Sequence, residues 1–194
     1  VVPNVVDGIF FKPSNEEFKN RFGIANYILT TGNICKRKNQ LNLAKACIKE
    51  KIPLVIIGEI LDGELKYANE LDSLIKNESQ VIWLKGLEAN SLLLKSAYDC
   101  CALFALPSID EIQPISALEA VASGKPLLLS DRKFAYQEYY NNSFKSDPYS
   151  VESIRKGIIQ ILSNREKYIN ESKNIENCGS QKVAEEYKII YNSI

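Results

Sequence analysis

The 194-residue sequence predicts a doubly wound α/β domain, a parallel sheet with helices on both faces. Three observations predict it. Short, wholly apolar runs recur at Leu54–Ile57, Ala102–Leu106 and Leu127–Leu129, as expected of strands buried on both faces. Amphipathic stretches of helical period separate them, and that alternation marks βαβ units. The composition, 45% apolar and 25% charged, is that of an ordinary globular domain, and the length suits one core.

Residues 1–25 scatter Pro3, Gly8, Pro13 and Gly23 among charges, and read as an interdomain linker or irregular lead-in. The domain proper is expected over 26–194. A chain with no methionine that opens Val1-Val2-Pro3 reads as a piece of a longer one. Tyr27–Thr31 is a strand stopped by Gly32. Gln40–Lys51 carries Leu41, Leu43, Ala44, Cys47 and Ile48 as a helical stripe. Leu54–Ile57 is a strand ending at Gly58, Leu65–Lys76 a helix, Val81–Leu84 a strand and Ser91–Tyr98 a short helix. The strand Ala102–Leu106 halts at Pro107. Pro114–Ser123 is a helix with proline early and Gly124 just past its end, the usual asymmetry of helix punctuation. After the strand Leu127–Leu129, helices are expected at about 133–141 and 149–163. A last amphipathic helix is expected over 166–192, with Ile175, Val183, Tyr187 and Ile190 as its stripe.

Composition also excludes. Lysine plus arginine equals aspartate plus glutamate, 24 against 24, so no net field draws the chain to nucleic acid or anionic lipid. Five cysteines, two adjacent and none spaced C-x-x-C, signal neither a disulfide framework nor a zinc site, and fit a reducing compartment. No apolar run approaches the length of a membrane span, and no signal peptide is visible, so the expected location is cytoplasmic. Histidine is absent, which leaves chemistry to carboxylates, lysines and backbone dipoles.

Sheets of this kind bind ligands beyond the carboxyl ends of their strands. That rule selects residues 32–38, 58–63, 85–88, 107–116 and 130–133. The run from Pro107 to Pro126 is the most informative. Its helix is apolar almost all round and therefore buried, with Glu119 as its one carboxylate and no lysine or arginine at i±3 or i±4. A buried ionised group costs several kcal/mol unless paired. Either Glu119 reaches solvent or a distant cation, or it accepts hydrogen bonds from a ligand's vicinal hydroxyls. The N-terminus of the same helix offers free N–H groups and a positive dipole end, a ready anion site. A phosphate there and a diol at Glu119 would stand about one turn apart, the separation of a diphosphate from its ribose. Glu111, before the helix, would then face the far side of the phosphates. The run Lys36-Arg37-Lys38 reads as solvated loop charge or as a phosphate clamp.

The pattern P-S-x-x-E-x7-E-A-x-A-S-G-x-P over Pro107–Pro126 resembles the signature of family 4 glycosyltransferases of the GT-B fold. Pro3-Asn4-Val5-Val6-Asp7 is similar to the family's interdomain P-N-G-V-D segment, and Thr31–Asn39 to its G-R-x4-K-G loop. Val55–Gly58 and Ile82–Gly86 are similar to its second and third strand ends, so the resemblance covers nearly the whole chain. It implies the Rossmann-like C-terminal half of a GT-B fold, which binds the donor of a retaining hexosyltransferase. It implies Glu119 on the ribose, Glu111 beside the donor sugar as the catalytic group, and Lys38 on the diphosphate. The Ile115 and Ser116 amides would complete the cradle with Gly32 and Asn33, and the main chain near Leu87 would hold the base.

The resemblance implies no cofactor and no metal, the nucleotide diphosphate sugar being the donor substrate. A glycan or lipid-linked acceptor, as in polysaccharide biosynthesis, would sit on an N-terminal half. Any peripheral contact with the inner face of a membrane would be made there too. Two positions depart from the pattern: Asn33 replaces a phosphate-contacting arginine, and Pro114 replaces a common glycine, removing one N–H. Two other readings stand, a sugar-nucleotide epimerase and a degenerate nucleotide-binding module. A nicotinamide oxidoreductase does not, because no G-x-G-x-x-G follows the first strand.

Overall fold

The computed structural model describes residues 2–13, 15–170 and 175–192. Six strands, β1 (Ile28–Thr31), β2 (Leu54–Ile57), β3 (Val81–Leu84), β4 (Leu103–Leu106), β5 (Leu127–Ser130) and β6 (Phe144–Ser146), form one sheet in the order β3-β2-β1-β4-β5-β6. Every pairing is parallel. The order reverses between β1 and β4, which opens a crevice at their carboxyl ends.

Side chains of period two divide the core between the faces. Leu29, Val55, Ile57, Phe104, Leu106, Leu127 and Leu129 pack on one side with residues of α4 (Leu92–Cys100) and α5 (Ile115–Ala122). Ile28, Leu54, Ile56, Leu103, Ala105 and Leu128 pack on the other with α2 (Gln40–Lys49), α3 (Leu65–Ile75) and α6 (Val151–Ser163). The doubly wound α/β class expected from the sequence is the one observed. Among the described residues no helix is long and apolar enough to cross a membrane.

Four segments differ from expectation. The lead-in is not irregular throughout. Gly8–Phe11 is a 3-10 turn, α1 spans Glu17–Phe22, and Phe10 and Phe18 are fully buried. Each such side chain contributes about 1.5–3 kcal/mol through burial. The segment is also pinned by polar contacts: Phe18 N–H donates to Ser96 Oγ at 2.8 Å, and Asn15 N–H to Asp99 Oδ2 at 3.0 Å. Asp99 pairs in turn with Lys95, both side chains almost wholly buried.

β6 was not expected, because Phe144-Lys145-Ser146 is an edge strand with one apolar side chain. The helix expected at 133–141 is two 3-10 turns, Lys133–Tyr136 and Glu138–Tyr140. The helix expected over 166–192 is broken. Arg165–Tyr168 and Ile175–Cys178 are 3-10 turns, residues 171–174 lie outside the described residues, and α7 spans Ser180–Asn192. Gly179 interrupts it by bridging to Val6. Of the expected stripe Ile175 and Val183 are buried, whereas Tyr187 and Ile190 are exposed.

The cysteines are free, and burial pushes the Cys47 thiol up and that of Cys101 up to about 12. Burial thus disfavours the thiolate at both positions.

A candidate donor cleft at the carboxyl ends of the strands

A cleft of about 560 Å³, within the range of small-molecule sites, opens where the strand order reverses. The loops after β1, β2, β3 and β4 and the start of α5 line it. Gly32, Asn33, Lys38, Leu87, Glu111, Ile115, Ser116 and Glu119, the residues singled out in the sequence, all line this one cleft.

Its floor depends on two glycines. Gly32 has φ +126° and sits against the Lys38 side chain. Gly58 is required by contact, since a Cβ there would lie 2.0 Å from the Gly32 carbonyl oxygen. The loop after β1 is then tied in place. Asn39, in the left-handed region that asparagine tolerates, donates from Nδ2 to the carbonyls of Pro107 at 2.9 Å and Pro148 at 2.7 Å. Gln40 Nε2 donates to the Asn33 carbonyl at 2.9 Å, and Ile109 N–H to the Arg37 carbonyl at 2.8 Å. These contacts turn Lys38 into the cleft.

Lys38 Nζ lies 2.7 Å from Glu111 Oε1, and Arg37 Nη1 lies 2.8 Å from the same oxygen. The Glu111 side chain is only 9% exposed and that of Lys38 13%, whereas Arg37 is half exposed. Arg37 also donates to the Asp110 carbonyl at 2.8 Å. Within the Lys36-Arg37-Lys38 run, Lys38 therefore enters the cleft and Arg37 braces Glu111 from outside it.

Pro114 is the N-cap of α5, with φ −70° and ψ 116°. Its missing N–H thus lies outside the helical turn, and its carbonyl accepts from Ala117 and Leu118. Ile115 and Ser116 head the helix and line the cleft, at the end where the dipole favours an anion. One turn on, Glu119 accepts from the Tyr98 hydroxyl at 2.7 Å, and that hydroxyl contacts Thr31 Oγ1 at 2.8 Å. Burial raises the Glu119 pKa above the ordinary carboxylate range, the Tyr98 hydrogen bond opposes the rise, and Asp7 adds to it. Among the described residues no cation pairs with Glu119 and Tyr98 alone bonds it, through Oε2. Of the two alternatives, the solvent one describes this carboxylate in part, since it is partly exposed on the open cleft, whereas among the described residues no salt bridge holds it.

Tyr98 lies outside every segment that the sequence selected, whereas Asn4, Gln113 and Glu59 lie within quoted segments but were given no role of their own. Tyr98 looks like one more apolar residue of a helical stripe. Asn4 N–H donates to Gln113 Oε1 at 2.5 Å and Asn4 Nδ2 to the Gln113 carbonyl at 2.7 Å, which folds the lead-in over the cleft. The P-N-x-V-D motif, of which Asn4 is the second residue, was the available signal. Glu59, directly after the second-strand glycine, lines the far end of the cleft. Among the described residues no group of three or more metal-ligating side chains is found.

Solved structures reproduce this frame. HepE from Anabaena, crystallised with UDP and glucose, superposes with a TM-score of 0.83 at 21% identity, over 100% of this chain and 56% of its own. Sucrose-phosphate synthase from Thermosynechococcus elongatus gives 0.82 at 15% identity, over 99% and 51%. The C-terminal domain of a group 1 glycosyl transferase, LpcC from Francisella tularensis, gives 0.70 at 22% identity, over 89% and 95%. The chain thus spans about half the length of the first two and nearly all of the isolated third domain. These likenesses show the GT-B domain fold. Comparison with curated protein sequences gives no match. Residues 11–177 match the profile described as Glycosyl transferases group 1, and the chain belongs to that family.

Proposed function

We propose that this chain is the donor-binding half of a retaining glycosyltransferase of family 4, which passes a hexosyl group from a nucleotide diphosphate sugar to a glycan or lipid-linked acceptor. The observation that carries the reading is Glu119. It is a largely buried carboxylate that has no cation partner among the described residues, one turn from two helix-initial amides and opening on the same cleft as Lys38. A ribose diol satisfies the carboxylate, while Ile115 N–H, Ser116 N–H and Lys38 receive the diphosphate.

As the glycosidic bond of the donor breaks, negative charge grows on the leaving diphosphate. The groups already aimed there stabilise it, which lowers the barrier electrostatically. Glu111, beside Lys38, stands where the sugar ring would lie, and Arg37 keeps that carboxylate braced when Lys38 turns to the phosphates. The reading assigns the charge of the diphosphate to protein groups and requires no cofactor or metal. It assigns the acceptor, and any contact with the inner face of a membrane, to a preceding domain in the cytoplasm, without which the domain is inactive. That HepE was crystallised with UDP and with UDP-glucose supports a nucleotide-sugar donor.

Isothermal titration with UDP, GDP and ADP tests the reading. At least one binds, and Glu119→Ala and Lys38→Ala each weaken that binding by on the order of 10-fold or more, as the loss of charge-assisted hydrogen bonds demands. Failure of all three ligands, or indifference to both substitutions, overturns it in favour of a degenerate module.

A further inference from the structure

Resting on the donor-site reading, we propose that Glu59 selects the nucleotide base, and that the base is guanine. The sheet order sets the scale. The loop after β4, which leads into α5, and the loop after β3 are three strand spacings apart, about 14 Å. With the diphosphate at α5 and the ribose at Glu119, the base falls at the far end of the cleft, among Glu59, Gly86, Leu87 and Ala89.

The side chain of Glu59 is exposed, and among the described residues nothing forms a hydrogen bond or ion pair with it. Its position is nonetheless defined. Gly86 has φ +145°, and a Cβ there would lie 3.2 Å from both Cγ and Oε1 of Glu59, so the carboxylate rests against the bare backbone of the loop. Trp83 Nε1 donates to the Gly58 carbonyl at 3.0 Å and holds the two loops together. The base end of the cleft thus presents an acceptor with two oxygens.

Only one common base answers it with two adjacent donors. Guanine offers N1–H and the 2-amino group side by side, and a carboxylate accepts both. Uracil offers one N–H between two carbonyls, so the second carboxylate oxygen would face an acceptor. Adenine and cytosine each set an amino donor beside a ring-nitrogen acceptor. A site that must hydrogen-bond a ligand rejects the analogue that leaves it unpaired.

Titration of the same chain with GDP, UDP and ADP, repeated with Glu59→Gln, tests this. Wild-type protein binds GDP on the order of 10-fold more tightly than UDP or ADP, the discrimination of a bidentate contact. Glu59→Gln, on an exposed side chain, leaves the melting temperature unchanged and removes the preference. UDP binding as tightly as GDP, or a preference that survives Glu59→Gln, overturns the assignment while leaving the donor site standing. If the wild-type chain binds none of the three, the donor reading fails and the base assignment falls with it.

Discussion

Replacing Gly58 by alanine tests how the fold builds the cleft. No left-handed backbone is at issue, because Gly58 is not among the positive-φ glycines. The objection is contact alone. The new methyl would lie 2.0 Å from the Gly32 carbonyl oxygen and 2.8 Å from its carbon, where ordinary contact begins at 3.4 Å. The two loops must part by about 1.4 Å, and both atoms met are backbone, so no side-chain rotation relieves the clash. Gly32 N–H bonds to the Ile57 carbonyl at 3.0 Å and Gly58 N–H to the Leu84 carbonyl at 3.0 Å, so the separation strains the ends of β1 and β2 together. Overpacking of this kind costs about 1–3 kcal/mol. In a domain of this size that corresponds to a fall of roughly 2–12 °C in melting temperature. The same movement displaces Gly32, which sits against Lys38, so on the proposed donor reading nucleotide affinity falls as well. Differential scanning fluorimetry and nucleotide titration read both effects. A Gly58→Ala protein that melts within 1 °C of wild type, by the same order-of-magnitude reasoning, and binds nucleotide normally would refute the argument.

Two more perturbations have signs fixed by the structure. The pKa of Glu119 is raised on folding by burial, so its contribution to stability is present below the ordinary carboxylate pKa and lost as pH rises through the raised one. Glu119→Gln therefore raises the melting temperature at neutral pH, and the gain shrinks to nothing in acid; an equal gain at every pH in a thermal scan would contradict this. Asp99→Asn strands the buried Lys95 ammonium and costs about 3–5 kcal/mol, since both side chains are almost wholly buried. Thermal unfolding shows a large loss, and limited proteolysis shows new cutting before α1; a melting temperature close to wild type would refute the role given to the pair.

The central elements were legible because their chemistry is local. Strands such as Leu54-Val55-Ile56-Ile57 and Leu127-Leu128-Leu129 are buried on both faces and carry that fact in every residue. The eight residues expected at the site do share one cleft; the strand-end rule selected their segments, and the family resemblance picked the individual residues within them. What could not be read depends on partners distant in the chain. Phe18 in a six-residue helix means little until Ser96 receives its N–H, and Phe144 is a strand residue only because β5 lies beside it. Helical periodicity ran on through Gly179 because a hydrophobic stripe does not register a bridge to Val6. Tyr98 was hidden for the opposite reason: its ring belongs to the core, and only its hydroxyl belongs to the cleft.

The shared grip of Lys38 and Arg37 on one oxygen of Glu111 has a kinetic consequence. Because Glu111 serves as counterion to both cations, the positive field that they send outward to steer an arriving anion is reduced. On the proposed reading, Lys38 would become available to a ligand only by trading this carboxylate for another acceptor. Association with an anionic ligand would then be an exchange of ion partners, with a rate expected to respond weakly to added salt.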